Sequence, residues 1–280
     1  MRILSKNTLA QASKQIKEYG RPLERRLLEN YFFAGSSDDV VSELIKYQNE
    51  DGGFGHGIES DFRLPLSSPM ATSVGLRHLA TVDELPKAQQ LIKAAIGYLE
   101  STFNADRKGW FIVGKEVNDY PHAPWWNFNI EEGMTILDHN WGNPSAELLG
   151  FLYKYRNYVT ALDVMNGVEF ALTYIEQKQT FSSEHEIYCY LALHEKMPLE
   201  LQQRLEKRLI VAINQLIVYD EKQWQEYVPT PLDFVPARHS TRFGIEEAKI
   251  NSNLEFLITN LEARGHINPP WLPNVYQDNL

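Results

Sequence analysis

A single cysteine, Cys189, in 280 residues rules out an internal disulfide and a multi-cysteine zinc cage, as suits a reducing compartment. No apolar run approaches the roughly 20 residues that cross a bilayer. The opening Met1-Arg2-Ile3-Leu4-Ser5-Lys6 turns polar too soon for the apolar core of a signal peptide, so a cytoplasmic protein without a membrane span is expected. Positive charge is also short: 27 Lys and Arg against 37 Asp and Glu leave a formal net charge of −10. Nucleic-acid binding relies on clustered cations that release counterions, so it is excluded as a general activity. The basic residues between Arg21 and Arg26 are few and helically spaced, which reads as a solvated face. Strand-like alternation is nearly absent.

What is present is ordinary globular composition, 43% hydrophobic and 23% charged. A chain of this length folding as one unit removes about 75% of its unfolded surface from water, so a single domain over residues 1–280 is expected. Apolar positions recur every three or four residues. They predict helices over 7–19, 22–33, 38–48, 69–81, 86–103, 143–157, 161–178, 183–195, 199–219 and 245–264, an all-α class. Ser68-Pro69 and Asn143-Pro144 each place a capping side chain before a residue suited to the first helical turn. Ser183 and Glu186 have the spacing of a capping box.

Four long segments lie outside these helices: 49–68, 104–142, 220–244 and 265–280. Connections of that length in a compact domain are lids, binding loops or peripheral bracing. A degenerate repeat runs from helix exits to an aromatic, in Leu44 to Phe54, Tyr98 to Trp110, Tyr174 to Phe181, Leu216 to Trp224 and Leu257 to Trp271. Gly53, Gly109 and Pro270 stand immediately before three of those aromatics. One helical hairpin cannot bury its apolar face alone, whereas stacked hairpins can, with the aromatic wedged between neighbours.

The first copy, Tyr47-Gln48-Asn49-Glu50-Asp51-Gly52-Gly53-Phe54-Gly55, resembles the Gln-x-x-Asp-Gly-Gly-Phe turn of the terpenoid cyclase and protein prenyltransferase superfamily, which includes squalene–hopene cyclase. The resemblance implies an α/α toroid with a central cavity, here an incomplete ring because about ten helices are found where a full ring has twelve. It also implies long loops gathered on one rim. Glu59, Asp61, Arg63-Leu64-Pro65 and Ser68-Pro69 extend the similarity to small bacterial proteins that share the Asp-Gly-Gly-Phe-Gly-His-Gly turn and have no assigned activity. The cyclase Asp-x-Asp-Asp motif does not carry over, since Phe62 stands where its last aspartate would be. The prenyltransferase zinc site does not either, since Ile187 stands two residues before Cys189.

The densest ionisable cluster is His56, Glu59, Asp61 and Arg63, just ahead of the helix at Pro69. It reads as an acid or base, Glu59 or Asp61, oriented by His56 and Arg63, or as a loop pinned by an ion pair. Trp125, Trp126 and Asn127 form a second candidate. Two adjacent indoles from regular structure do not share one core, so at least one lines a pocket or the surface, where a π face can stack on a sugar or stabilise a cation; simple hairpin packing is the competing reading. His139 and Trp141 precede a capped helix, and Asp233, Arg238 and His239 lie on a proline-stiffened loop; both sets are candidate pocket walls. His185, Glu186, Cys189 and His194 invite a zinc reading, but their spacing is not that of zinc enzymes and structural roles explain them. No metal or cofactor is expected.

Three functions remain open. One is an enzyme acting on a small organic molecule in the central cavity, isoprenoid if the superfamily's habit holds. The others are a carbohydrate-active hydrolase or lyase, and a non-catalytic module that binds a ligand or peptide.

Overall fold

The computed structural model describes residues 3–267. Eleven α-helices, six short 3₁₀ turns and one two-stranded antiparallel pair account for its regular structure among those residues, so the all-α class holds. The helices are α1 (Lys6–Tyr19), α2 (Pro22–Phe33), α3 (Ser37–Leu44), α4 (Pro69–Leu79), α5 (Pro86–Ser101), α6 (Gly142–Lys154), α7 (Val164–Gln177), α8 (Glu184–Lys196), α9 (Leu199–Leu216), α10 (Pro231–Phe234) and α11 (Glu247–Arg264). The strands β1 (Phe128–Asn129) and β2 (Met134–Thr135) pair Phe128 with Thr135. No helix of the described residues is long and apolar enough to cross a membrane.

The chain groups into two compact units, one of Ser36–Leu209 and one of Met1–Gly35 with Ile210–Leu280. In the larger unit, α4 packs on α3, α5 and α6, and α6 packs on α7 and α8. Burial separates two kinds of helix there. Residues 71–76 of α4 and 142–152 of α6 are covered on every side, whereas α5 buries only Ala88, Ile92, Ala95, Ile96, Tyr98 and Leu99. The α7 stripe of Val168, Ala171, Leu172 and Ile175 repeats that one-faced pattern. An amphipathic helix flanks a core, and a helix apolar all round lies within one. In the other unit α1 packs on α2 and α11, and α10 on α11.

Ten of the helices coincide with the predicted segments, and α4 and α8 start at the predicted serine caps, but the expected Asn143 cap is not made: α6 begins at Gly142 with no side-chain cap. Ser68 Oγ accepts the Ala71 N–H at 3.1 Å, with Pro69 in the first turn. Ser183 Oγ accepts the Glu186 N–H at 3.3 Å, but the reciprocal half of that capping box is not made. The Glu186 carboxylate turns instead to the Gly142 N–H at 3.0 Å and to Lys178, tying α8 to the start of α6. Asn143 is extended ahead of Pro144, and its Oδ1 lies 3.7 Å from the Cys189 thiol. Helix α7 begins at Val164 rather than 161 because Glu100, at the end of α5, takes the N–H groups of Thr160, Ala161 and Leu162. The short α10 had no periodic signal; the Thr230–Asp233 capping box and Pro231 specify it.

Two copies of the aromatic repeat are built alike. Phe54 is fully buried and its N–H donates to Thr72 Oγ1 in α4 at 3.0 Å. Trp110 is fully buried and its N–H donates to Ser145 Oγ in α6 at 3.0 Å. Each aromatic therefore fastens an incoming loop to a helix whose segment there is buried on every side. In the first turn Gly52 has φ +87°, and a methyl there would stand 2.4 Å from the Ala94 carbonyl, so only glycine fits. Gln48 secures the same turn by donating to Gly52 O at 2.8 Å and Leu91 O at 2.9 Å. Phe181 and Trp224 are also buried, while Trp271 of the fifth copy lies outside the described residues.

Candidate functional site

Residues 61–63 and 121–123, from two of the long loops, are held together by backbone pairing. The Arg63 N–H donates to Pro121 O and the Ala123 N–H to Asp61 O, both at 2.8 Å. That pairing sets the Asp61 side chain beside the short 3₁₀ turn Pro124–Trp126. Trp125 Nε1 donates to Asp61 Oδ2 at 2.9 Å, and Trp126 Nε1 to Oδ1 at 2.7 Å. Two neighbouring indoles thus converge on one carboxylate. Trp126 is buried, edge-on to Phe62 at 4.9 Å, whereas Trp125 is only part-buried.

Burial pushes the Asp61 pKa above the ordinary carboxylate value, against the two indole N–H bonds and the nearby Arg63 charge. Desolvation penalises the anion, and neutral donors only partly compensate it. The result is a carboxyl with a raised pKa set against two indole N–H groups.

The remaining members of the loop cluster have local partners. His56 Nε2 lies 2.8 Å from Asn49 Oδ1, at a backbone φ of +54°. Glu59 Oε1 accepts the Ser60 N–H at 2.9 Å, and Arg63 Nη1 donates to Ser60 O. Asn127 is exposed, its N–H donating to Pro124 O at 3.2 Å. Trp141 is a core residue: it packs on Phe170 at 5.0 Å and Tyr174 at 5.2 Å and donates to Arg107 O at 3.0 Å. His139 is on the surface, 3.4 Å from Glu132. Asp233 caps α10, accepting from the N–H and hydroxyl of Thr230 at 2.7 and 2.8 Å. Asp233, Arg238 and His239 are exposed and belong to the other compact unit.

A second polar cluster escaped the sequence reading. Arg77 of α4 donates to both oxygens of Glu147 of α6, at 2.7 Å from Nε and 2.5 Å from Nη2. Glu147 is buried, and Cys189 of α8 lies within electrostatic reach of both. Burial opposes the Arg77 charge, and Glu147 more than restores it, holding the guanidinium above its usual value. Glu59 adds to that stabilisation, which connects this cluster to the loop carrying Asp61. Burial raises the Cys189 thiol pKa, making it a poor nucleophile. The available signal was Glu147 itself, one carboxylate inside the apolar run Ala146 to Leu152. Among the described residues no group of three His, Cys, Asp or Glu side chains could hold a metal ion.

Comparison with known proteins finds no matching protein-family profile, no matching curated protein and no matching solved structure.

Proposed function

We propose that the chain is an α/α-toroid enzyme acting on a small organic substrate of isoprenoid character, with Asp61 as proton donor. The toroid reading is supported by the alternation of covered helices, α4 and α6, with one-faced helices, α5 and α7, as an inner and an outer layer of hairpins would have. The repeated fastening of Phe54 to Thr72 and Trp110 to Ser145 supports it as well.

The observation that carries the chemistry is the Asp61 carboxyl, pushed toward its protonated form by burial and fixed by two indole N–H groups. A positioned acid with a raised pKa can protonate an alkene or a leaving group, and adjacent indole faces stabilise the cation that follows. No Asp-x-Asp-Asp triad is needed for that reading, because the aromatic setting supplies the desolvation. The test is incubation of the purified protein with squalene, farnesol and geranylgeraniol, followed by mass-spectrometric product analysis. Isomerised or cyclised product is expected from the wild type and none from folded Asp61→Asn. Equal turnover by that variant removes Asp61 from the chemistry, and no product from any of the three chains removes the isoprenoid assignment.

A further inference from the structure

The Arg77–Glu147 pair is asymmetric in a way that a purely structural ion pair does not require. Glu147 retains 4% of its side-chain exposure and Arg77 retains 45%. A guanidinium carries five N–H donors in one plane. Glu147 takes the side-on edge, one donor from Nε and one from Nη2. Three donors remain, and among the described residues no other acceptor takes them. Two of these, one on Nη1 and one on Nη2, form the parallel end-on edge, a second fork of the geometry that binds a carboxylate with two hydrogen bonds.

We propose that Arg77, held side-on by Glu147, uses its end-on edge to bind the carboxylate of a small-molecule ligand at the face of α4. Glu147 is the positioning residue: its buried oxygens fix the plane of the guanidinium and leave the accessible edge preorganised. Fixing a long flexible side chain before the ligand arrives removes an ordering cost from binding. The Lys196 ammonium lies within electrostatic reach of the same pair and adds positive potential. Glu59 is also within electrostatic reach of Arg77 and limits the negative charge the site accepts. Two carboxylates around one guanidinium favour a monoanionic carboxylate over a dianionic phosphate. That this ligand is the substrate rests on the proposed function; that Arg77 binds it does not.

Isothermal titration of the full chain with octanoate, octanol and octyl phosphate separates the head group from its shared tail. Octanoate is expected to bind about tenfold or more tightly than octanol, the scale of one charge-assisted hydrogen-bonded contact. Arg77→Gln alone would leave Glu147 buried and unpaired, so the informative variant is Arg77→Gln/Glu147→Gln, a neutral pair of matching shape. It should abolish the preference, whereas Asp61→Asn should retain it. Equal binding of octanoate and octanol, binding of none of the three, a preference that survives in the double variant, or tighter binding of octyl phosphate each overturns the proposal. A retained octanoate preference without polyprene turnover leaves the anion site standing and removes only the catalytic reading.

Discussion

The ring of Phe54 lies against the backbone of Gly75 so closely that a methyl group at residue 75 would stand 2.6 Å from the ring carbons. Phe54 is fully buried and tied to Thr72 by its backbone, so the ring has nowhere to move. Alanine at a helical glycine usually gains up to about 1 kcal/mol of propensity. Here overpacking, typically about 1–3 kcal/mol, opposes that gain and exceeds it. Gly75→Ala is expected to lower stability by about 1–2 kcal/mol in urea denaturation. A stabilised variant would show that Phe54 does not wedge against α4.

Glu100 accepts from the backbone of Thr160, Ala161 and Leu162 and from the Thr160 hydroxyl, at 2.6 to 3.0 Å. Burial is the largest single influence and raises its pKa, but those donors together prevail and hold it below the ordinary value of 4.5. A depressed folded-state pKa contributes stability above the unfolded value, and that stability is lost as pH falls through the folded one. The wild type should therefore lose more stability than Glu100→Gln as pH is lowered from 5 through the acid range, in paired thermal melts. Parallel pH profiles would refute the assignment.

Asp61 carries the opposite sign. Its folded-state pKa is raised above the unfolded 3.8, so its contribution is fully present below that value and is lost as pH rises through the folded pKa. Above about pH 4 the wild type should lose, relative to Asp61→Asn, the stability that the protonated carboxyl supplies, and the variant should lack that part of the profile. Tryptophan fluorescence reads the same event, because Trp125 and Trp126 both donate to the titrating group. A fluorescence titration unchanged by Asp61→Asn would sink the prediction.

Removing the two partners of the inner ion pair should have unequal effects. Arg77→Ala strands a buried carboxylate, a loss of about 3–5 kcal/mol. Glu147→Gln keeps a hydrogen-bond acceptor for Arg77, whose side chain is 45% exposed, so its cost should be smaller, about 1–2 kcal/mol. Equal losses in guanidinium denaturation would mean that Arg77 is no better solvated than its partner.

Helix content was written in local pattern. The 3.6-residue spacing of α5 and α7 and the cap at Ser68 act within a few residues of chain, so they were readable without tertiary information. The candidate site was readable only in part. His56, Glu59, Asp61 and Arg63 are neighbours in sequence, but which of them would be desolvated depends on residues 121–126 folding back over them. Asp138 and Glu186 show the same limit. Asp138 accepts from Ile112 N–H at 2.8 Å and Glu186 from Gly142 N–H at 3.0 Å, partners 26 and 44 residues away. The expected wall residue Trp141 became a core ring for the same reason, whereas Asp233 is a helix cap set locally by Thr230 three residues earlier.

By itself the sequence determined a helical, acidic, single-cysteine chain and the glycine turn that seats Phe54, because periodicity, caps and steric limits operate over one or two turns. Tertiary structure alone decided that Trp125 and Trp126 share Asp61 and that Arg77 meets Glu147. Such contacts join residues about 65 to 70 positions apart. Desolvation, which sets the chemistry of a carboxylate, depends on what the whole fold places around it.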